Sequence, residues 1–208
     1  VLVALLGGCG PSKQERLETI YTLALGNPAG AQAELVKQWH AQTLKLDDAM
    51  NLGHERLEKN IRGGPEFALA VLGAARELEA AAGKGGVHEV YSVRVGAPAG
   101  GVKAGVNEFY WFRLGTLAGS AAAAAFNAGD LKTAREVVLA GPTRWQGENY
   151  WRLHPDHDAL ASLIMHRAGE SREALYRLRS RGEPDEQLTA MMARIEAEMA
   201  AAEKGKKK

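Results

Sequence analysis

From Leu17 onward the apolar residues recur three and four positions apart, the spacing that gathers them on one face of an α-helix. Ser12-Lys13-Gln14-Glu15 opens the first run as a capping box, in which the Ser12 hydroxyl and the Glu15 carboxylate serve each other's end amides. Leu17, Ile20, Tyr21 and Ala24 follow, and Gly26-Asn27-Pro28 ends the run. A second helical stretch covers about 29–62, with Val36, Trp39, Leu46, Met50, Leu57 and Ile61 at its apolar positions. It is expected to break near Leu46-Asp47, with Asp47 capping the new start. Gly63-Gly64-Pro65 is the next stop, and Pro65 suits a first helical position. Phe67, Val71, Ala74, Leu78 and Ala81 then line one face as far as Gly83.

The pattern changes over 83–106. Val87, Tyr91, Val93 and Val95 lie two or four apart, and glycines with Pro98 crowd 96–105, which predicts an irregular or short β insertion. Helical spacing returns at Asn107. The stretch Leu114 to Gly129 carries no charge and many small residues, as befits a buried helix packed closely by its neighbours. It is too short for a membrane span. Pro184 opens a last helix with Leu188, Met191, Met192, Ile195 and Met199 on one face. The opposite side, with Glu186, Arg194, Glu196 and Glu198, suits the polar cap at the end of a helical array.

One phrase occurs twice, 40 residues apart: Ala128-Gly-Asp-Leu-Lys-Thr-Ala134 and Ala168-Gly-Glu-Ser-Arg-Glu-Ala174. Gly26 to Ala31 is an earlier echo. In each phrase a glycine can end one helix with left-handed backbone, an acidic residue can cap the next, and an alanine lets the two pack closely. This resembles the helix-turn-helix unit of tetratricopeptide repeats, well over 107–181 and weakly over 12–43, although the 40-residue period exceeds that family's usual 34. The resemblance implies an all-α array of about eight to ten helices that binds other proteins.

Composition changes this picture little. The chain has 208 residues, 46% hydrophobic and 25% charged, enough for a single domain with a real core. The net charge is +1, but Lys204 to Lys208 contributes four lysines, and without them 22 basic residues face 25 acidic ones. The folded part therefore offers no basic stripe for nucleic acid, and the lysine tail (204–208) is expected to be solvated and disordered.

The N-terminus carries a sharper signal. Val1 to Leu6 is an apolar run that ends in Gly7-Gly8-Cys9, the single cysteine. Leu6-Gly7-Gly8-Cys9 resembles the bacterial lipobox, in which small residues fit the signal peptidase and the cysteine thiol takes a diacylglycerol. The resemblance implies that 1–8 is the remnant of a signal peptide whose start lies upstream, and that 9–14 is a lipidated Cys9 with a short spacer. A single helical-repeat domain (12–203) would follow, facing the periplasm.

No nucleophile elbow, phosphate loop or zinc-protease motif is present, so catalysis has no support from motifs and no cofactor is implied. His154, Asp156, His157 and Asp158, with His166 later, could hold zinc, but they straddle a helix start where the acids have an ordinary place, and no metal is expected. Aromatic residues cluster instead. Phe109-Tyr110-Trp111-Phe112 covers every side of a helix, so part of it must face away from one core. Tyr110, Trp111, Trp145, Tyr150 and Trp151 are the candidate partner-binding residues, because tryptophan and tyrosine are favoured at protein interfaces. The expected role is a lipid-anchored, non-enzymatic scaffold or accessory subunit of an envelope complex, with other envelope or membrane proteins as partners. Three alternatives remain open at this stage: a tightly integrated structural subunit of a membrane complex, a periplasmic ligand-binding protein, or a metal-dependent enzyme.

Overall fold

A computed structural model describes residues 10–91, 105–141, 155–179 and 186–205, with side chains except at 82–91, 105–112, 155–158, 177 and 187. Among the described residues there are nine helices and no strand. In chain order they are α1 (Lys13–Ala24), α2 (Pro28–His40), α3 (Leu46–Glu58), α4 (Gly64–Tyr91), α5 (Gly105–Asn127), α6 (Leu131–Ala140), α7 (Pro155–Arg167), α8 (Ser171–Arg179) and α9 (Glu186–Gly205).

The local signals explain most of the boundaries. The Glu15 amide donates to Ser12 Oγ at 3.2 Å and the Ser12 amide to Glu15 Oε2 at 2.7 Å, closing the capping box of α1. Asn27 caps α2 through its Oδ1, which accepts from the Gly30 amide at 2.9 Å, and Pro28 takes the first helical position. Gly63 has φ +90° and leaves no room for a side chain beside Leu25, so both its conformation and its space require glycine.

Two expectations need correction. The break in the second stretch falls at residues 41–45 and α3 starts at Leu46, as expected, but its cap and the way α2 ends differ. Gln42 adopts the left-handed conformation there, and the Thr43 amide reaches back to the Gln38 carbonyl at 3.0 Å, so α2 ends in a Schellman-type turn without a glycine. Asp48 takes the role expected of Asp47: its carboxylate accepts from the Lys45 amide at 3.3 Å. The second correction concerns the insertion near 83–106, whose described parts are helical. Helix α4 continues through Gly83, Gly85 and Gly86 to Tyr91, and α5 begins at Gly105. Each glycine costs about 1 kcal/mol of helix propensity, which a helix anchored upstream can absorb. Val87 and Tyr91 are also four apart, a spacing that fits a helix as well as a strand. Residues 92–104 lie outside the described residues.

The core is one continuous cluster. Helix α4 runs through it, packing against α1, α2, α3, α5 and α6. Phe67, Ala68, Ala70, Val71, Leu72, Ala74, Ala75 and Leu78 are all buried, on several sides of the helix. Small residues make that possible. At Gly73 an added Cβ would collide with Gln32 of α2, whose amide donates to Glu77 at 2.9 Å. Arg76 reaches outward to the end of α6, where Nη2 donates to the Leu139 and Ala140 carbonyls at 2.8 and 3.2 Å and satisfies two of that helix's terminal acceptors.

The two matching phrases build matching turns. Gly129 and Gly169 have φ +80° and +88°. The amides of Asp130 and Glu170 return to the carbonyls of Ala125 and Met165 at 2.9 Å in each case. Asp130 Oδ1 caps α6 by accepting from the Thr133 amide at 3.0 Å. Glu170 instead accepts from Arg135 Nε at 2.7 Å, which ties the second turn to α6. Ala134 and Ala174 are both fully buried.

Replacing Ala134 or Ala174 by Leu should destabilise the fold by about 1–3 kcal/mol through overpacking, read as a lower midpoint in thermal or denaturant melts. Nothing stands within 4 Å of a Cβ added at Gly129 or Gly169. Gly→Ala there should therefore cost only the left-handed backbone penalty, about 1 kcal/mol. A neutral result at both alanines would show that the turns do not set the helix spacing.

Candidate functional site

The candidate binding residues divide between described and undescribed parts of the chain. Tyr110 and Trp111 stand on the first half of α5, where the backbone is described and their side chains are not. Trp145, Tyr150 and Trp151 lie outside the described residues, as does Cys9, so no shared patch is established for them.

What the structure does place is the anchor immediately after the aromatic run. Arg113 of α5 donates to the Asp47 carboxylate and, at 2.5 Å, to Asn51 Oδ1, both on α3. Asp47, Asn51 and His54 are four and three residues apart, so they share one face of α3. This face meets α5, and its clamp on Arg113 ties the two helices together. His54 is half-buried at the same junction. Burial, and then the positive charge of Arg113, push its imidazole below the usual histidine value. Asp47 was singled out in the sequence as a helix cap; its structural role is to hold α5.

A second polar junction lies where α7 ends, α8 begins and α9 passes. His166, in the last turn of α7, has Nδ1 2.8 Å from Ser171 Oγ and Nε2 2.8 Å from Glu198 Oε2. The other oxygen of Glu198 accepts from Arg194 Nε at 2.9 Å. The bonds from His166, and then from Arg194, hold the Glu198 carboxyl below the usual carboxylate range. The His166 side chain is only 13% exposed, against 48% for Glu198.

This arrangement bears on the metal cluster considered from sequence. Asp156, His157 and Asp158 occupy the first turn of α7, and His166 lies at its other end. At 1.5 Å per residue about 12 to 15 Å of helix separates them, too far for one ion. His154 lies outside the described residues. Among the described residues no group of three or more His, Cys, Asp or Glu side chains could hold a metal ion. His166 instead meets Ser171 and Glu198. The available signal was a histidine closing one helix five residues before a serine that opens the next.

No helix among the described residues is long and apolar enough to cross a membrane. Compared with family models, curated proteins and solved structures, the chain matches none of them.

The His54 environment sets a pH dependence. Its folded pKa lies below the unfolded one, so in acid the unfolded chain binds the extra proton more readily and stability falls as pH drops below the ordinary histidine value. His54→Gln should flatten the part of the stability-versus-pH curve that begins there. An unchanged acid limb in denaturant melts would mean that His54 is not the group responsible.

Proposed function

We propose that this chain is the folded body of a lipid-anchored envelope scaffold, tethered through Cys9 and built on tetratricopeptide-like helical hairpins that bind other proteins. The observation that supports the helical half of this reading is the stacking of two similarly built hairpins. Helices α5 and α6 pair, α7 and α8 pair, and α7 packs on both α5 and α6. Each pair turns on a left-handed glycine and packs a fully buried alanine five residues later. Units of this kind bury one face against their neighbours and leave the other for a partner.

The tether rests on Leu6-Gly7-Gly8-Cys9. Helix α1 begins at Lys13, so only residues 10–12 separate it from Cys9. A chain extends at most about 3.6 Å per residue, which puts the start of α1 within about 14 Å of the anchored cysteine. The helical body would then lie against the bilayer, not at the end of a long stalk. Two acyl chains, at about 0.8 kcal/mol per buried methylene, hold such a body stably where one would not. The aromatic residues Tyr110, Trp111, Trp145, Tyr150 and Trp151 are the proposed contacts, since aromatic anchors contribute about 2 kcal/mol or more each when they fill a partner's pocket.

Mass spectrometry of the native protein should find an N-terminus at Cys9 carrying acyl chains. Cys9→Ser should move the protein from the membrane to the soluble fraction with its melting temperature unchanged. An intact, unmodified segment ahead of Cys9 in the membrane-bound protein would rule the tether out.

A further inference from the structure

The junction of α7, α8 and α9 brings together a hydroxyl, an imidazole and a carboxylate in the order that activates a serine. His166 touches Ser171 through Nδ1 and Glu198 through Nε2, each at 2.8 Å. Those distances are within reach for proton transfer, and a base oriented by a third group is the mark of an activated nucleophile. The roles follow from the contacts. A carboxylate at Nε2 favours the tautomer whose proton sits on Nε2, which leaves the Nδ1 lone pair facing the Ser171 O–H. Arg194 fixes the far oxygen of Glu198 and so the direction of its bond to the ring. Ser171 is half-buried, and the adjacent Arg172 and Glu173 are exposed. Ser171 is also the first residue of α8, a nine-residue helix whose positive end would lie beside charge developing on an attacked carbonyl oxygen.

We propose that Ser171, His166 and Glu198 form a hydrolytic site for carboxylic esters. The inference goes beyond the tethered binding role and does not depend on it. Ser171 Oγ bonds to the acyl carbon while its proton passes to His166 Nδ1 and the carbonyl electrons move onto oxygen. Collapse of this adduct breaks the bond to the alcohol, which leaves with the proton from Nδ1. Water then attacks the acyl-serine and gives a proton to Nδ1. The bond to Oγ breaks, Ser171 recovers its proton, and the carboxylic acid departs. Throughout, Glu198 is a positioning residue that holds the imidazole and stabilises its charged form.

The test uses the full chain with 4-nitrophenyl acetate, following release of nitrophenolate and locating the acetyl group by peptide mass spectrometry. The expected result is a burst of product with acetyl on Ser171. Ser171→Ala should abolish that burst, and His166→Gln should lower the acylation rate about a hundredfold or more. Glu198→Gln should alter the pH profile of acylation, a change that a merely structural contact would not produce. Circular dichroism checks that each variant keeps its helices. If Ser171→Ala fails to fold, the position of the acetyl group on the unaltered chain decides by itself. No burst, acetyl found only on lysine or other residues, or an undiminished rate in folded Ser171→Ala would overturn the proposal.

Discussion

Burial of α4 from several sides is the constraint on which the rest of the fold depends. A helix that meets five others cannot carry large residues all round, because the axes would be forced apart and the gaps left unfilled. Ala68, Ala70, Ala74 and Ala75 solve this by letting the neighbours approach, while Phe67, Val71, Leu72 and Leu78 supply the apolar area. Phe67 packs its ring 5.3 Å from that of Tyr21 on α1, and the Tyr21 hydroxyl donates to the Arg62 carbonyl at the turn into α4. The Arg56 guanidinium lies over the same Tyr21 ring, 4.8 Å from its centre, and pairs with Glu18. One helix thus fixes the N-terminal hairpin, and through Arg76 it also holds the end of α6.

The later helices are attached by a different balance. Helices α5 to α8 pack through fully buried residues such as Leu117, Val137, Ile164 and Leu178. Among the described side chains of helix α9, Leu188 and Ile195 are buried, and its remaining contacts include exposed ion pairs such as Arg179 with Glu196. Exposed pairs of this kind contribute little to stability. The His166–Glu198 bond is better enclosed on the His166 side, and it crosses the junction where a serine, an imidazole and a carboxylate meet.

How far the sequence could be read depended on whether the determining chemistry was local. The Ser12 capping box, the Asn27-Pro28 start of α2 and the Gly63-Gly64-Pro65 start of α4 involve residues within one turn of each other, whereas α3 ends earlier than the expected stop, at Glu58, with Asn60 in the left-handed conformation. Gly129 and Gly169 were legible for the same reason: the left-handed turn and the alanine after it belong to one short phrase. The end of α2 was not, because Gln42 takes a conformation that its identity does not advertise. The glycines at 83–86 misled in the other direction, since a modest loss of propensity does not stop a helix whose start is buried. The polar junctions lie further from view. Asp47 and Arg113 are 66 residues apart, and His166 and Glu198 are 32 apart. No spacing rule joins such residues before the helices are placed. The aromatic cluster is the reverse case, visible in the sequence and only partly within the described residues.

The central claim is that a tethered helical body binds a protein partner through its aromatic residues. Its most direct measurement compares two properties of the same variants, Trp111→Ala and Trp151→Ala, in protein extracted from native membranes in mild detergent. Each variant is assayed for recovery of the protein that co-purifies with the unaltered chain, and for its melting temperature. An interface tryptophan should lose the partner while the melting temperature stays nearly unchanged. A core tryptophan should instead destabilise the fold by about 3–5 kcal/mol. If both variants keep the partner, or lose it only along with the fold, the account of how this protein binds is contradicted.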